Sequence, residues 1–182
     1  MSGMSPAEAP ARPSPSGEAA RWIARLNLAP HPEGGWYRQT YRSSLLLPRT
    51  ALPGYDGDRV AATTIYFLLS GDEFSALHRL RSDEVWHFYT GSPLVVHVLD
   101  QEGGYRQMLL GSEHDTGQAF QAVVPGGCWF GSSLLHSGTF ALVGCTVAPG
   151  FEFADFEMAK RRTLLLQYPE HRDIITRLTR EP

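Results

Sequence analysis

His78 and Glu84 stand six positions apart in the run Ser75-Ala-Leu-His-Arg-Leu-Arg-Ser-Asp-Glu-Val-Trp-His-Phe-Tyr-Thr-Gly91. An imidazole titrates near neutrality, so His78 suits a general base that takes a proton and later returns it. Glu84 could orient that ring and stabilise its charge if the two side chains meet. A second acid, on the opposite side of the reacting atom, would complete a proton transfer. Tyr37, Tyr66 and Tyr89 are the candidates, with Tyr66 the first choice. If Glu84 points inward from a strand, Trp86 and Phe88 do so too, and His87 faces the other way. A buried Glu84 with no such role would need a cation, for which Arg79 and Arg81 are at hand.

The elements that must position these residues read as mainly β. Ala19 to Leu28 carries an apolar stripe of Trp22, Ile23 and Leu26 and predicts a short helix, stopped by Pro30 and Pro32. From Trp36 to Arg42 the residues alternate, which puts Trp36, Arg38, Thr40 and Arg42 on one face. Strands are expected over Ala61–Leu69, Phe74–Leu80, Glu84–Tyr89, Leu94–Leu99, Tyr105–Leu110, Phe120–Val124 and Phe140–Val147. Turn residues separate them, as in Ser70-Gly71-Asp72, Gly91-Ser92-Pro93 and Pro125-Gly126-Gly127. Short strands at such spacing predict a sandwich or barrel. After Pro149-Gly150 the pattern turns helical. Asp155 is the expected N-cap of a helix over Phe156–Gln167, and Pro169 opens a last helix to Leu178. Residues 1–17, rich in Pro, Ala, Ser and Gly, read as a disordered tail.

The run around His78 resembles the first motif of the cupin superfamily. His78, Glu84 and Gly91 keep that motif's spacing, but Leu80 occupies the place of its second His. The second cupin motif is matched by Pro125-Gly-Gly127-Cys-Trp-Phe130, with Phe130 in place of the last His. Further segments, His31-Pro-Glu-Gly-Gly-Trp-Tyr-Arg38, Thr64-Ile-Tyr-Phe-Leu-Leu69, Val143-Gly-Cys-Thr-Val-Ala-Pro-Gly-Phe151 and Phe153-Ala-Asp-Phe156, make the chain similar to a cupin subfamily described as predicted sugar epimerases. That subfamily is related in fold to dTDP-4-dehydrorhamnose 3,5-epimerase. The resemblance implies a double-stranded β-helix, the jelly-roll cupin barrel, with a short N-terminal helix and C-terminal helices. It implies one cupin domain over residues 18–182 and a homodimer. It also makes His78 a residue that lines the site.

A cupin metal takes three or four protein ligands with His nitrogen dominant. Here only His78 and Glu84 stand at ligand positions, so the expectation is no cofactor; a metal, if present, would be held by those two. Epimerisation beside a carbonyl needs a base on one face and an acid on the other. The leading reading is therefore a metal-independent isomerase of a keto-sugar or nucleotide-sugar, with His78 as base, Glu84 as orienting carboxylate and Tyr66 as opposing acid. Glu33, Trp36, Arg38, Trp86, Phe88, Trp129 and Phe130 are the candidate substrate-binding residues. The aromatics suit a sugar ring or small organic ligand. Glu33, in a Glu-Gly-Gly turn, could face the cavity. Arg38 and Arg42 on one face could grip a phosphate or carboxylate. The alternatives are a non-catalytic binder of a small hydrophobic or aromatic metabolite, and a metal-dependent cupin with a reduced ligand set.

Composition narrows the partners. A net charge of −3 with no basic run argues against nucleic acid and anionic membranes. No apolar stretch approaches the ~20 residues of a membrane span, and the N-terminus lacks the pattern of a signal peptide. Cys128 and Cys145 form no CxxC pair and read as reduced thiols of a cytoplasmic protein. A small molecule is the expected partner.

Overall fold

A computed structural model describes Pro15 and residues 17–180 of the chain. Its strands are β1 (Ala29–Pro30), β2 (Trp36–Arg42), β3 (Leu46–Leu47), β4 (Arg59–Val60), β5 (Thr63–Gly71), β6 (Phe74–Leu80), β7 (Asp83–Gly91), β8 (Leu94–Leu99), β9 (Tyr105–Leu110), β10 (Gln121–Val124), β11 (Trp129–Leu134), β12 (Thr139–Ala148) and β13 (Phe156–Met158). The α-helices are α1 (Gly17–Leu26), α2 (Arg161–Gln167) and α3 (Arg172–Arg177). One sheet runs β1-β2-β5-β12-β7-β10 and a second runs β13-β6-β11-β8-β9, while β3 and β4 form a small ribbon. Every strand pair is antiparallel. The two sheets enclose one core, in which Phe67 and Trp86 from the first meet Val96, Val98 and Phe130 from the second. This is a jelly-roll barrel, as expected.

Helices cover parts of both outer faces, and the sequence shows why. The α1 stripe of Trp22, Ile23 and Leu26 packs on Leu68 and Leu142 of the first sheet. Leu164 of α2 and Ile175 of α3 pack on Leu77, Leu99 and Trp129 of the second. Strand β8 is consequently buried along its whole length, which explains its unbroken apolar run apart from His97. No helix among the described residues is long and apolar enough to cross a membrane.

Four expectations need correction. The helix expected over Phe156–Gln167 begins only at Arg161, because Phe156–Met158 pairs with Leu80, Arg79 and His78 as an edge strand. Asp155 caps nothing. Its carboxylate is taken by Arg59 in a buried two-pronged ion pair of 2.6 and 2.8 Å, and losing either partner would leave a buried charge, at about 3–5 kcal/mol. Strand β11 was not expected, since Gly131-Ser132-Ser133 lacks an alternating pattern. Gly131 is needed there because a Cβ would stand 2.6 Å from the Ser75 carbonyl oxygen. Finally, β2 carries a bulge: its register against β5 slips between Gln39 and Tyr41. The extra residue reverses the alternation, so Arg38 and Arg42 lie on opposite faces. The tail read over residues 1–17 lies outside the described residues except Pro15 and Gly17, and Gly17 opens α1.

Candidate active site

A cavity of about 320 Å³ opens at one end of the barrel. The strands supply it by alternation: Tyr37 and Gln39 from β2, Thr63, Ile65 and Phe67 from β5, His78 and Leu80 from β6, Glu84 from β7. Burial defines its depth. His31, Glu33, His78 and Glu84 are all buried, whereas Arg42 and Glu152 at the mouth are half-exposed. The walls between are largely apolar, with Phe67, Phe151 and Phe156.

Glu33 reaches the deep end from a turn that only glycines permit. Gly34 and Gly35 have φ of 115° and 68°, a region that side chains disfavour. A Cβ on Gly35 would meet the Leu68 carbonyl oxygen at 2.7 Å. The Glu33 carbonyl then accepts hydrogen bonds from the Ala76 amide and the Arg180 guanidinium, both at 2.8 Å. Its carboxyl accepts one from the Ser75 hydroxyl at 2.9 Å. The other oxygen, Oε2, lies 3.3 Å from His78 Nε2 and 3.4 Å from His31 Nδ1.

The hydrogen bonds decide the tautomer of His78. Nδ1 lies 2.8 Å from the Ala76 carbonyl oxygen. A carbonyl only accepts, so Nδ1 carries a proton. In the neutral ring Nε2 is then the free base, and it points at Glu33. One proton between Nε2 and Oε2 satisfies both atoms. Burial drives the same outcome electrostatically. It pushes the Glu33 and Glu84 carboxyls each up to about 8 and lowers the His78 imidazole. At neutral pH the deep end therefore holds protonated carboxyls beside a neutral ring, a state in which charge is avoided until a substrate supplies a reason for it.

The expected site residues divide. Glu33, His78 and Glu84 line the cavity. Glu84 does not orient His78: its Oε2 accepts from the Trp86 indole at 2.9 Å, and none of the hydrogen bonds described joins it to the imidazole. The contacts that hold His78 are Glu33, the Ala76 carbonyl and the Phe130 ring, whose centroid lies 4.1 Å away. Trp86 is buried behind Glu84, and Phe88 packs against the core. Tyr66 is not in the cavity wall. It lies on the outer face of β5, edge-on to Tyr89, with Arg38 above its ring. Trp36 shares that outer cluster. Trp129 is on the outer face of the second sheet beneath Arg79. Tyr37 is the tyrosine that faces inward, with its ring 4.4 Å from that of His31. His31 had no expected role. Its signal was the same His-Pro-Glu-Gly-Gly turn that delivers Glu33.

These donors do not fit a metal. Among the described residues, no group of three or more His, Cys, Asp and Glu could hold one. His31 Nδ1 accepts from the Glu33 amide at 3.3 Å and His78 Nε2 faces Glu33 Oε2 at 3.3 Å, so the two rings do not converge on a shared empty point. Leu80 and Phe130 fill the places where further imidazoles would be required. No step below passes through a metal.

The barrel recurs in other organisms. Residues 20–159 match the model of a family described as "Cupin superfamily (DUF985)". A protein from Shewanella oneidensis of known crystal structure is 39% identical, with a TM-score of 0.81 over 92% of this chain and 100% of its own. A hypothetical protein from Leishmania major is 38% identical, with a TM-score of 0.82 over 91% of this chain and 100% of its own. An uncharacterized protein of Saccharomyces cerevisiae is 26% identical over 167 residues, 81% of this chain and 78% of its own.

Proposed function

Since the chain belongs to the cupin superfamily, in the family designated DUF985, we propose that its barrel cavity is the active site of a metal-independent isomerase acting beside the carbonyl of a keto-sugar or nucleotide-sugar. The observation that carries this reading is the buried Glu33–His78 pair, with Nδ1 committed to the Ala76 carbonyl and Nε2 left as the base. His78 Nε2 takes the proton from the carbon beside the carbonyl, and the electron pair moves onto the carbonyl oxygen. The protonated Glu84 carboxyl donates a hydrogen bond to that developing oxyanion. Tyr37 gives its phenolic proton to the carbon from the other side, and His78 hands the proton it has taken to Glu33, which passes its own on to the Tyr37 phenolate, so that every group ends as it began. Two raised carboxyls suit these roles because proton donors work best with a pKa near the working pH.

The test is uptake of solvent deuterium at the carbon beside the carbonyl, followed by mass spectrometry on a panel of ketoses. Uptake by the wild type that disappears in His78→Gln is expected. A wild type that exchanges no ketose sinks the reading.

A second reading, capture of a small aromatic metabolite without turnover, draws on the Phe67, Phe151 and Phe156 walls. It predicts thermal stabilisation by a ligand with no exchange. A metal-dependent reaction is checked by the metal content of wild type and His78→Ala. A near-stoichiometric metal that vanishes in the variant would replace acid–base chemistry.

The same proposal makes the protein a cytoplasmic homodimer. Both cysteines are free and buried, and the outer face of the first sheet exposes Tyr89 and Val123. Light scattering checks the dimer; a monomer at micromolar concentration removes that part.

A further inference from the structure

One exposed ion pair lines the mouth of the cavity. Arg42 Nη2 lies 2.6 Å from Glu152 Oε1, joining β2 to the loop that follows β12. Arg42 faces the cavity only because of the β2 bulge. Opposite residues in a sheet share a face, and Arg42 pairs with Thr63, which lines the cavity. Among the described lining residues it is the one arginine or lysine. The loop bearing Glu152 is pinned on both sides, by the Phe151 amide donating to the Thr63 hydroxyl at 3.0 Å and by the buried Asp155–Arg59 pair. The loop backbone is therefore fixed, while the Glu152 side chain, more than a third exposed, has its described hydrogen bond with Arg42 and only a charge interaction with Arg59.

An ion pair this exposed is weak, and a second anion can replace one of its members. The two ends of the cavity also differ in chemistry. The deep end holds uncharged proton donors and the mouth holds a guanidinium, which binds phosphate or carboxylate through two parallel hydrogen bonds. We propose that Arg42 is an anion-recognition subsite: it receives a phosphate or carboxylate at the substrate's end remote from the carbonyl, in exchange for Glu152. This rests on the acid–base reading for the orientation of the substrate, but not for the anion preference itself. Glu152 then serves as a stand-in that keeps Arg42 in place and excludes uncharged ligands from its hydrogen bonds.

The experiment follows the Arg42 Nε–H resonance, assigned by its loss in Arg42→Gln, during titration with two matched pairs. Fructose 6-phosphate is compared with fructose, and levulinate with 2-pentanone. A response to either charged member and not to its neutral partner supports the subsite, and the pair that responds tells phosphate from carboxylate. Calorimetry should show the charged probe binding about tenfold or more weakly to Arg42→Gln and about two- to fivefold more tightly to Glu152→Gln. Equal responses within a pair, no response to either charged probe, or an affinity untouched by Arg42→Gln overturns the proposal. His78→Gln separates the two readings. It should keep the Arg42 response while losing deuterium uptake. A wild type that shows the Arg42 response but exchanges no ketose refutes the acid–base reading and leaves the subsite standing.

Discussion

His78 and His97 are both buried to 2% exposure on strands that flank β11, yet the structure treats them differently. His97 lies on the outer face of the second sheet, beside α3. Its Nδ1 meets the Tyr105 hydroxyl at 2.8 Å, and its Nε2 meets the Ser133 hydroxyl at 3.0 Å and the Arg177 guanidinium at 3.2 Å. Arginine only donates, so Nε2 accepts and the ring is neutral. Burial first, and then Arg177, lowers its pKa to about 4. His78 is also lowered by burial, but Glu33 stands within reach of its free nitrogen. Burial alone makes a histidine inert. A carboxyl beside it, with a cavity in front, gives its proton somewhere to go.

The largest effect that would break this comparison is kinetic. His78→Gln should lower deuterium exchange by about 10²–10⁴-fold, the usual contribution of a positioned general base, and Glu33→Gln should fall in the same range because it removes the proton's partner. His97→Asn should leave the rate within about twofold. Mass spectrometry of the exchanged sugar measures all three. An equal loss from His97→Asn would mean that both rings serve only to hold the barrel together.

Part of the site could be read in the sequence, and the remainder, the burial of His97 included, could not for identifiable reasons. His78 and Glu84 were legible because they lie on consecutive strands joined by a short turn, so their spacing in the sequence is itself the signal. The apolar run of β8 was legible because both of its faces are covered. The Glu33–His78 contact was not, since it joins residues far apart in the chain through a turn whose direction only the fold decides. Tyr66 was preferred to Tyr37 because alternation fixes which residues share a face, not which face turns inward. On β5 the inward set is Thr63, Ile65 and Phe67, so Tyr66 turns out. Arg42 was misplaced by the bulge near Thr40, a one-residue slip that no local propensity announces. Asp155 looked like a helix cap because its partner, Arg59, comes from the distant ribbon of β3 and β4.

The pH dependence of stability sharpens the comparison next, because the two sites act on opposite limbs. Glu84 titrates near 8 in the folded protein and near 4.5 as a free carboxyl. Between those values the folded state keeps a proton that the unfolded chain has released. The stabilisation is complete below 4.5 and is lost as the pH rises toward 8. The loss is up to about 1.4 kcal/mol per pH unit. Glu84→Gln is already neutral and its amide oxygen can still accept from Trp86. Urea unfolding at pH 5, 7 and 9 should find the variant near the wild type at pH 5 and more stable than it at pH 9. A deficit of the same size at all three values would show that Glu84 is ionised in the native state.

His97 should produce the mirror image, with a smaller amplitude. Its folded pKa near 4 lies below the 6.5 of a free imidazole. As the pH falls from 6.5 to 4, the unfolded chain binds a proton that the folded ring refuses, so stability drops on the acid side. His97→Asn cannot take that proton and retains a donor for Tyr105. It should cost about 1–3 kcal/mol at pH 7 through lost packing and an unmet partner at Ser133. That deficit should shrink as the pH is lowered to 4, because only the wild type weakens there. A constant deficit would mean that His97 is protonated in the fold, with Arg177 turned away from it, and the contrast with His78 would then rest on the cavity alone.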